Sequence, residues 1–152
     1  MTKWQEVRLG DACLKIGSGA TPRGGKEVYL KSGEIYLIRS QNIYNGGFES
    51  QGIVYISQEQ ADELSNVSIQ KGDILLNITG DSVARVCMAP PKYLPARVNQ
   101  HVAIIRVDSK KLVARFVRYV LTSPKMQNHL LGLAAQGATR NALTKSMIES
   151  LS

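Results

Sequence analysis

The 152 residues are 43% hydrophobic and 20% charged, with 13 Gly and 5 Pro, which suits one ordinary globular domain and excludes disordered, collagenous and low-complexity chains. Nineteen Lys and Arg against twelve Asp and Glu leave +7, a balance that favours polyanions because neutralised phosphates release counterions. No apolar run reaches the roughly 18 residues of a membrane span, the start lacks a signal peptide's apolar segment, and Cys13 and Cys87 are too few for a disulfide framework; a cytoplasmic protein without membrane contact or structural metal is expected.

The charge is unevenly spread, with +3 over residues 1–48, −5 over 49–81 and +9 over 82–152. Along the chain, residues 4–16 predict a short strand leading into a helical turn at 9–14. Residues 17–26 hold four glycines and Pro22 and read as an irregular loop. The run 35–38 predicts a strand ending near Arg39, then a polar turn through Asn45-Gly46-Gly47, and 53–56 a second strand. Ser57 with Gln60 three residues later starts a short acidic helix over 58–64. After the turn Lys71-Gly72-Asp73, the continuous apolar run 74–78 predicts a buried strand closed by Gly80-Asp81. Strands follow over 83–89 and 101–107, separated by a Pro90-Pro91 loop.

The period then changes. Leu112, Val113, Phe116, Val117, Val120 and Leu121 follow helical spacing, with Lys111, Arg115 and Arg118 on another face. Ser123-Pro124 starts a second helix running to about Ala135, since Ser suits the N-cap and Pro the first helical position. Gln136-Gly137 ends it, and Thr144 caps a last short helix within 144–151. The expected fold is α+β: a twisted, mostly antiparallel β-sheet core with short helices and Gly-rich loops over 1–107, and C-terminal helices over 108–152 packed on it, as a single domain.

No catalytic constellation survives inspection. Counting back from Gly25-Lys26, a P-loop would need Gly at Ala20 and a hydroxyl at Glu27, and both ends fail. Ala89-Pro90-Pro91-Lys92-Tyr93 resembles an amino-methyltransferase motif, but Ala89 cannot accept the substrate's hydrogen bond and Lys92 interrupts it. His101 and His129 have no His or Cys partner at ligand spacing. Gly17-Ser18-Gly19 lacks the spacing of a nucleophile elbow. The chain reads as a binder that needs no cofactor and holds no metal.

An ordered set of segments does carry a resemblance. Trp4-Gln5-Glu6-Val7-Arg8-Leu9-Gly10-Asp11 is followed by Gly19-Ala20-Thr21-Pro22, Ile38-Arg39-Ser40-Gln41-Asn42-Ile43 and Tyr55-Ile56-Ser57. Lys71-Gly72-Asp73-Ile74-Leu75, Thr79-Gly80, Asn99-Gln100-His101-Val102-Ala103 and Gly137-Ala138-Thr139-Arg140 complete it. Taken together they resemble one target recognition domain of the specificity (S) subunit of a type I restriction-modification system.

The resemblance implies sequence-specific double-stranded DNA binding, in which one domain reads half of a bipartite target. Separate modification (methyltransferase) and restriction subunits supply methylation, translocation and cleavage. In that family two recognition domains are separated by long helices that pair as a coiled coil. This chain stops at Ser152 before any such helix, so it is expected to be a fragment of a two-domain subunit or a half-length subunit. A stand-alone interaction or decoy module that binds the modification subunit is the other reading.

Base readout in the major groove needs paired donors and acceptors, such as Arg on guanine and Asn or Gln on adenine. The candidates are Arg39, Gln41, Asn42, Tyr44 and Asn45 in one stretch and Arg97, Asn99, Gln100 and His101 in another, with turn capping and solvation as the alternative for each. Candidates for the DNA backbone are Ser18, Thr21, Arg23 and Lys26 on the Gly-rich loop, Ser82 and Arg85 after Thr79-Gly80, and Gln136, Thr139 and Arg140. Lys110, Lys111, Arg115 and Arg118 form a basic stripe, either a solvated face or a contact for phosphate or the modification subunit. Glu59, Asp62 and Glu63 should face away from DNA.

Overall fold

The computed structural model describes residues 4–137 and 140–152. Its strands are β1 (Cys13–Ser18), β2 (Ile35–Ile38), β3 (Ile43–Tyr44), β4 (Gly47–Phe48), β5 (Val54–Ile56), β6 (Ile74–Asn77), β7 (Val86–Met88), β8 (Ala96–Val98) and β9 (Val102–Val107). The helices are α1 (Gln58–Glu63), α2 (Ala114–Thr122), α3 (Pro124–Ala134) and α4 (Lys145–Glu149).

The apolar runs of β6 and β9 have a three-layer cause. They are the two inner strands of an antiparallel sheet ordered β1-β9-β6-β7. On one face Ile74, Leu76, Ala103 and Ile105 pack with Val117 and Leu121 of α2, Leu130 of α3 and Ile148 of α4. On the other, Leu75, Val102 and Ile104 meet Leu37, Ile38, Ile56 and Val98 of a second sheet, ordered β5-β2-β8, together with Ala61 of α1. Strands buried on both faces lose the alternation of a half-exposed strand. Each fully buried Leu or Ile here contributes about 1.5–3 kcal/mol relative to exposure.

Local signals place most other elements. Ser57 Oγ accepts from Gln60 N at 3.1 Å at the start of α1, and Ser123 Oγ caps α3 through Met126 N. Thr144 Oγ1 accepts from Met147 N at 3.2 Å at the start of α4. The Asn45-Gly46 turn joins β3 to β4 as a hairpin.

Four departures from expectation follow. The strand expected before Leu9 is instead β1, which follows a 3-10 turn over Leu9–Ala12; Leu9 N is held by Leu151 O at 2.7 Å, and β1 then pairs with the edge of β9. The strand expected over 83–89 shrinks to β7, because Ala84 has a φ of +78° and takes the chain through a turn. Strand β8, short and preceded by Pro95, was not expected; it pairs in parallel with β2, Ile38 opposite Val98. The apolar face expected on α2 is only half covered: Val117 and Leu121 are buried, while Phe116 is 52% exposed.

No helix of the described residues is long and apolar enough to cross a membrane. Among them there is also no cluster of three metal-ligating side chains.

Candidate nucleic-acid interface

The parallel pairing of β2 with β8 sends both chains out of the same end of the second sheet, so Ser40-Gln41 and Asn99-Gln100 leave side by side. Asn99 N bonds Ile38 O across the gap. In the first sheet Asn77 of β6 lies opposite Val102 of β9, which brings the Thr79–Arg85 turn and His101 to that same end. Thr79 forms a bridge with Ala142, and Gly80 N bonds Asn141 O, so the segment after α3 arrives there as well and delivers Arg140.

The result is an open cleft of about 420 Å³ lined by Ser40, Gln41, Tyr44, Thr79, Gly80, Asp81, Ser82, Arg85, His101 and Arg140. It combines two guanidinium groups, a carboxamide, an imidazole and several hydroxyls. Such a set can hold an anion and offer directional hydrogen bonds beside it.

Its walls are held from below by Asn77, which is fully buried. Asn77 Nδ2 donates to Ser40 O at 2.9 Å and to Ser82 Oγ at 3.1 Å, tying a loop of each sheet to one amide. Asn77 Oδ1 has no partner among the described residues. Arg85 lies over the Tyr44 ring at 4.5 Å, a cation–π contact that props the guanidinium at the cleft wall. His101 is bonded through Nδ1 to Thr79 Oγ1 and through Nε2 to Gln100 Nε2. Both ring nitrogens are thus engaged within the protein. The imidazole edge is thereby oriented.

The sequence candidates divide clearly. Gln41, Tyr44, His101, Ser82, Arg85 and Arg140 line the cleft, and Gln100 touches it through His101. Five others do not line the cleft and place at least one side-chain polar atom on the protein itself. Asn42 is fully buried, accepting from Arg39 N at 3.0 Å and donating to Glu49 O at 2.8 Å. Asn45 accepts from Val86 N at 2.9 Å and donates to Gln127 Oε1. Asn99 is buried and accepts from His101 N at 3.0 Å. Arg39 bonds Gly52 O at 2.8 Å and lies over the Tyr29 ring. Arg97 bonds Ala61 O and Ala96 O; burial lowers its pKa, with Asp62 opposing the shift.

The Gly-rich loop starts at this end and then departs from it. Ser18 is exposed at the end of β1, and Gly19 N bonds Asn99 O at 3.1 Å. A Cβ on Gly19 would lie 1.8 Å from Val98 O, so only glycine permits this approach. Thr21, Arg23 and Lys26 are exposed but do not line the cleft; Arg23 O accepts from Gln60 Nε2 of α1. Gln136 is exposed after α3, and Thr139 lies outside the described residues. None of Glu59, Asp62 and Glu63 lines the cleft.

Sequence reasoning missed Ser40, Thr79, Asp81 and the supporting Asn77. Only Asn77 left a signal, as an amide inside the apolar run 74–78. Arg118, read as part of a stripe, instead flanks the β3–β4 hairpin beside Gly46, Phe48 and Cys87.

A family model described as the type I restriction modification DNA specificity domain matches residues 1–152. The chain belongs to that family. Similar folds occur in the S subunit of the type I restriction-modification system from M. genitalium, at TM-score 0.64 and 17% identity over 98% of this chain and 33% of that one. The HsdS subunit from Thermoanaerobacter tengcongensis matches at 0.64 and 18% over 95% and 35%. So does a chain from a structure of the assembly and conformational transition of the type I R-M system, at 0.64 and 17% over 95% and 35%. This specificity domain therefore spans about a third of the length of the solved chains it matches, and its α+β fold is theirs.

Proposed function

We propose that the chain is a sequence-specific double-stranded DNA-binding domain that reads one half of a bipartite target, with no catalysis of its own. It directs modification and restriction subunits, which carry out the chemistry, and a second recognition domain reads the other half. The observation that carries this reading is the cleft. In a DNA specificity family, one end of the molecule gathers Gln41, Tyr44, His101, Arg85 and Arg140 from segments far apart in sequence. Gln41 supplies base-edge hydrogen bonds, while Arg85, Arg140 and Ser82 hold phosphate.

Selection of the 152-residue chain on random duplexes tests it. Enrichment of one short motif, with binding that weakens steeply as salt rises, is expected. Gln41→Ala should relax one position by about 1–3 kcal/mol, and Arg140→Ala should weaken all sequences alike. Absence of enrichment even at low salt overturns the reading.

A second reading, a module that binds the modification subunit without its own DNA specificity, is favoured by a different feature. An apolar groove of about 230 Å³ runs between the first residues, α2, α3 and the C-terminus, lined by Leu9, Leu112, Phe116, Val120, Met126 and Leu151. Co-purification with the modification subunit, with no motif enriched, would select it.

A further inference from the structure

Among the described residues Asp81 is the one acidic side chain lining the cleft described above, which it shares with Arg85 and Arg140. Among the described residues its carboxylate makes no ion pair and no side-chain hydrogen bond, although Asp73 and Asp11 are both paired. The other acidic groups of residues 49–81 are accounted for elsewhere. Glu49 accepts from Gln51 N, Asp62 accepts from Gln58 Nε2, Glu59 and Glu63 lie on α1, and Asp73 is buried against Arg106.

The position of Asp81 is set by its neighbours. Gly80 takes a φ of +78° and its N–H bonds Asn141 O. On the other side Ser82 Oγ is held by Asn77 Nδ2, and Val83 N returns to Gly80 O. The carboxylate is thus presented by a turn anchored to two elements, while its own oxygens remain available. A fixed negative charge in a cleft that binds DNA opposes phosphate at every sequence, so it lowers general affinity. What it gains is an acceptor-only group, and the base-edge donors of the major groove are exocyclic amines. Adenine sets the N7 acceptor beside its amine, which would face a carboxylate oxygen. Cytosine presents N4 without an acceptor of its own beside it.

We propose that Asp81 is a specificity-determining residue that accepts a hydrogen bond from the N4 amine of a cytosine in the target. The inference rests on the DNA-binding reading above. The carboxylate rejects thymine and guanine at that position by opposing their major-groove acceptors, and Arg85 and Arg140 recover the phosphate attraction that it removes.

The test compares selections on random duplexes by the full chain and by Asp81→Asn, with urea unfolding of both as a check that the exposed substitution leaves the fold intact. The wild-type motif should hold one cytosine-dominated position. In D81N that position alone should relax by about tenfold, while binding to non-specific duplex tightens. An identical motif from both proteins, or an adenine-dominated position that relaxes, overturns the proposal. A wild-type selection that enriches nothing overturns the DNA reading itself, which separates the two failures.

Discussion

At one end of the central strands β6 and β9, Asp73 takes two hydrogen bonds from Arg106, both 2.9 Å, and a third from Gln70 N at 2.8 Å. Arg106 also reaches Ser68 O. At the other end Asn77 holds Ser40 and Ser82, but leaves its own Oδ1 unmatched among the described residues, beneath a cleft lined by hydroxyls, a carboxamide and cations. Both ends cross between the sheets with one buried polar side chain. The first closes a charge pair on itself; the second ties the loops of Ser40 and Ser82 together at the cleft. The positive φ of Ala84 belongs to the second end, where the chain turns to set Arg85 against Tyr44.

The contrast can be broken at either end. Asp73→Ala leaves Arg106 without its carboxylate partner and should cost about 3 kcal/mol in urea unfolding; DNA preference, measured where the variant is folded, should persist. A changed motif would mean that the two ends are not independent. Asn77→Ala should cost about 2 kcal/mol and, unlike the first variant, should also weaken DNA binding, because the Ser40 and Ser82 loops lose their common anchor. Arg85→Ala should leave stability within about 0.5 kcal/mol and reduce the slope of log affinity against log salt by about 1, read by fluorescence titration.

A further effect is absent at neutral pH. Burial pushes the Cys87 thiol from 9.0 up to about 12, opposed weakly by Arg118 and a Tyr44 backbone hydrogen bond. Below pH 9 both states keep the proton, so the thiol favours neither. Above it the unfolded chain releases the proton while the folded one retains it, and stability falls until about pH 12. Cys87→Ala should flatten unfolding free energy against pH in that window, whatever it does to the absolute value.

Several elements were legible locally. Ser57, Ser123 and Thr144 cap the helices that their spacing predicts, and the apolar run 74–78 marks a strand buried on both faces. Six of the candidate side chains named from the sequence line one cleft. Which amides were free was not legible. Asn42 and Asn99 look like Gln41 and Gln100 in sequence, yet the first two are buried and bonded to backbone. Hydrogen-bond partners supplied by other strands decide that difference, and they leave no trace in spacing.

Composition, caps and periodicity thus determined by themselves an α+β chain with a basic second half, because those signals act within a few residues. Tertiary structure decided the rest. The parallel pairing of β2 with β8, the meeting of β6 and β9 at His101, and the bridge from Thr79 to Ala142 collect the cleft from distant segments. Pairing of that kind depends on how whole layers pack, so no local pattern could have named Asp81 as its neighbour.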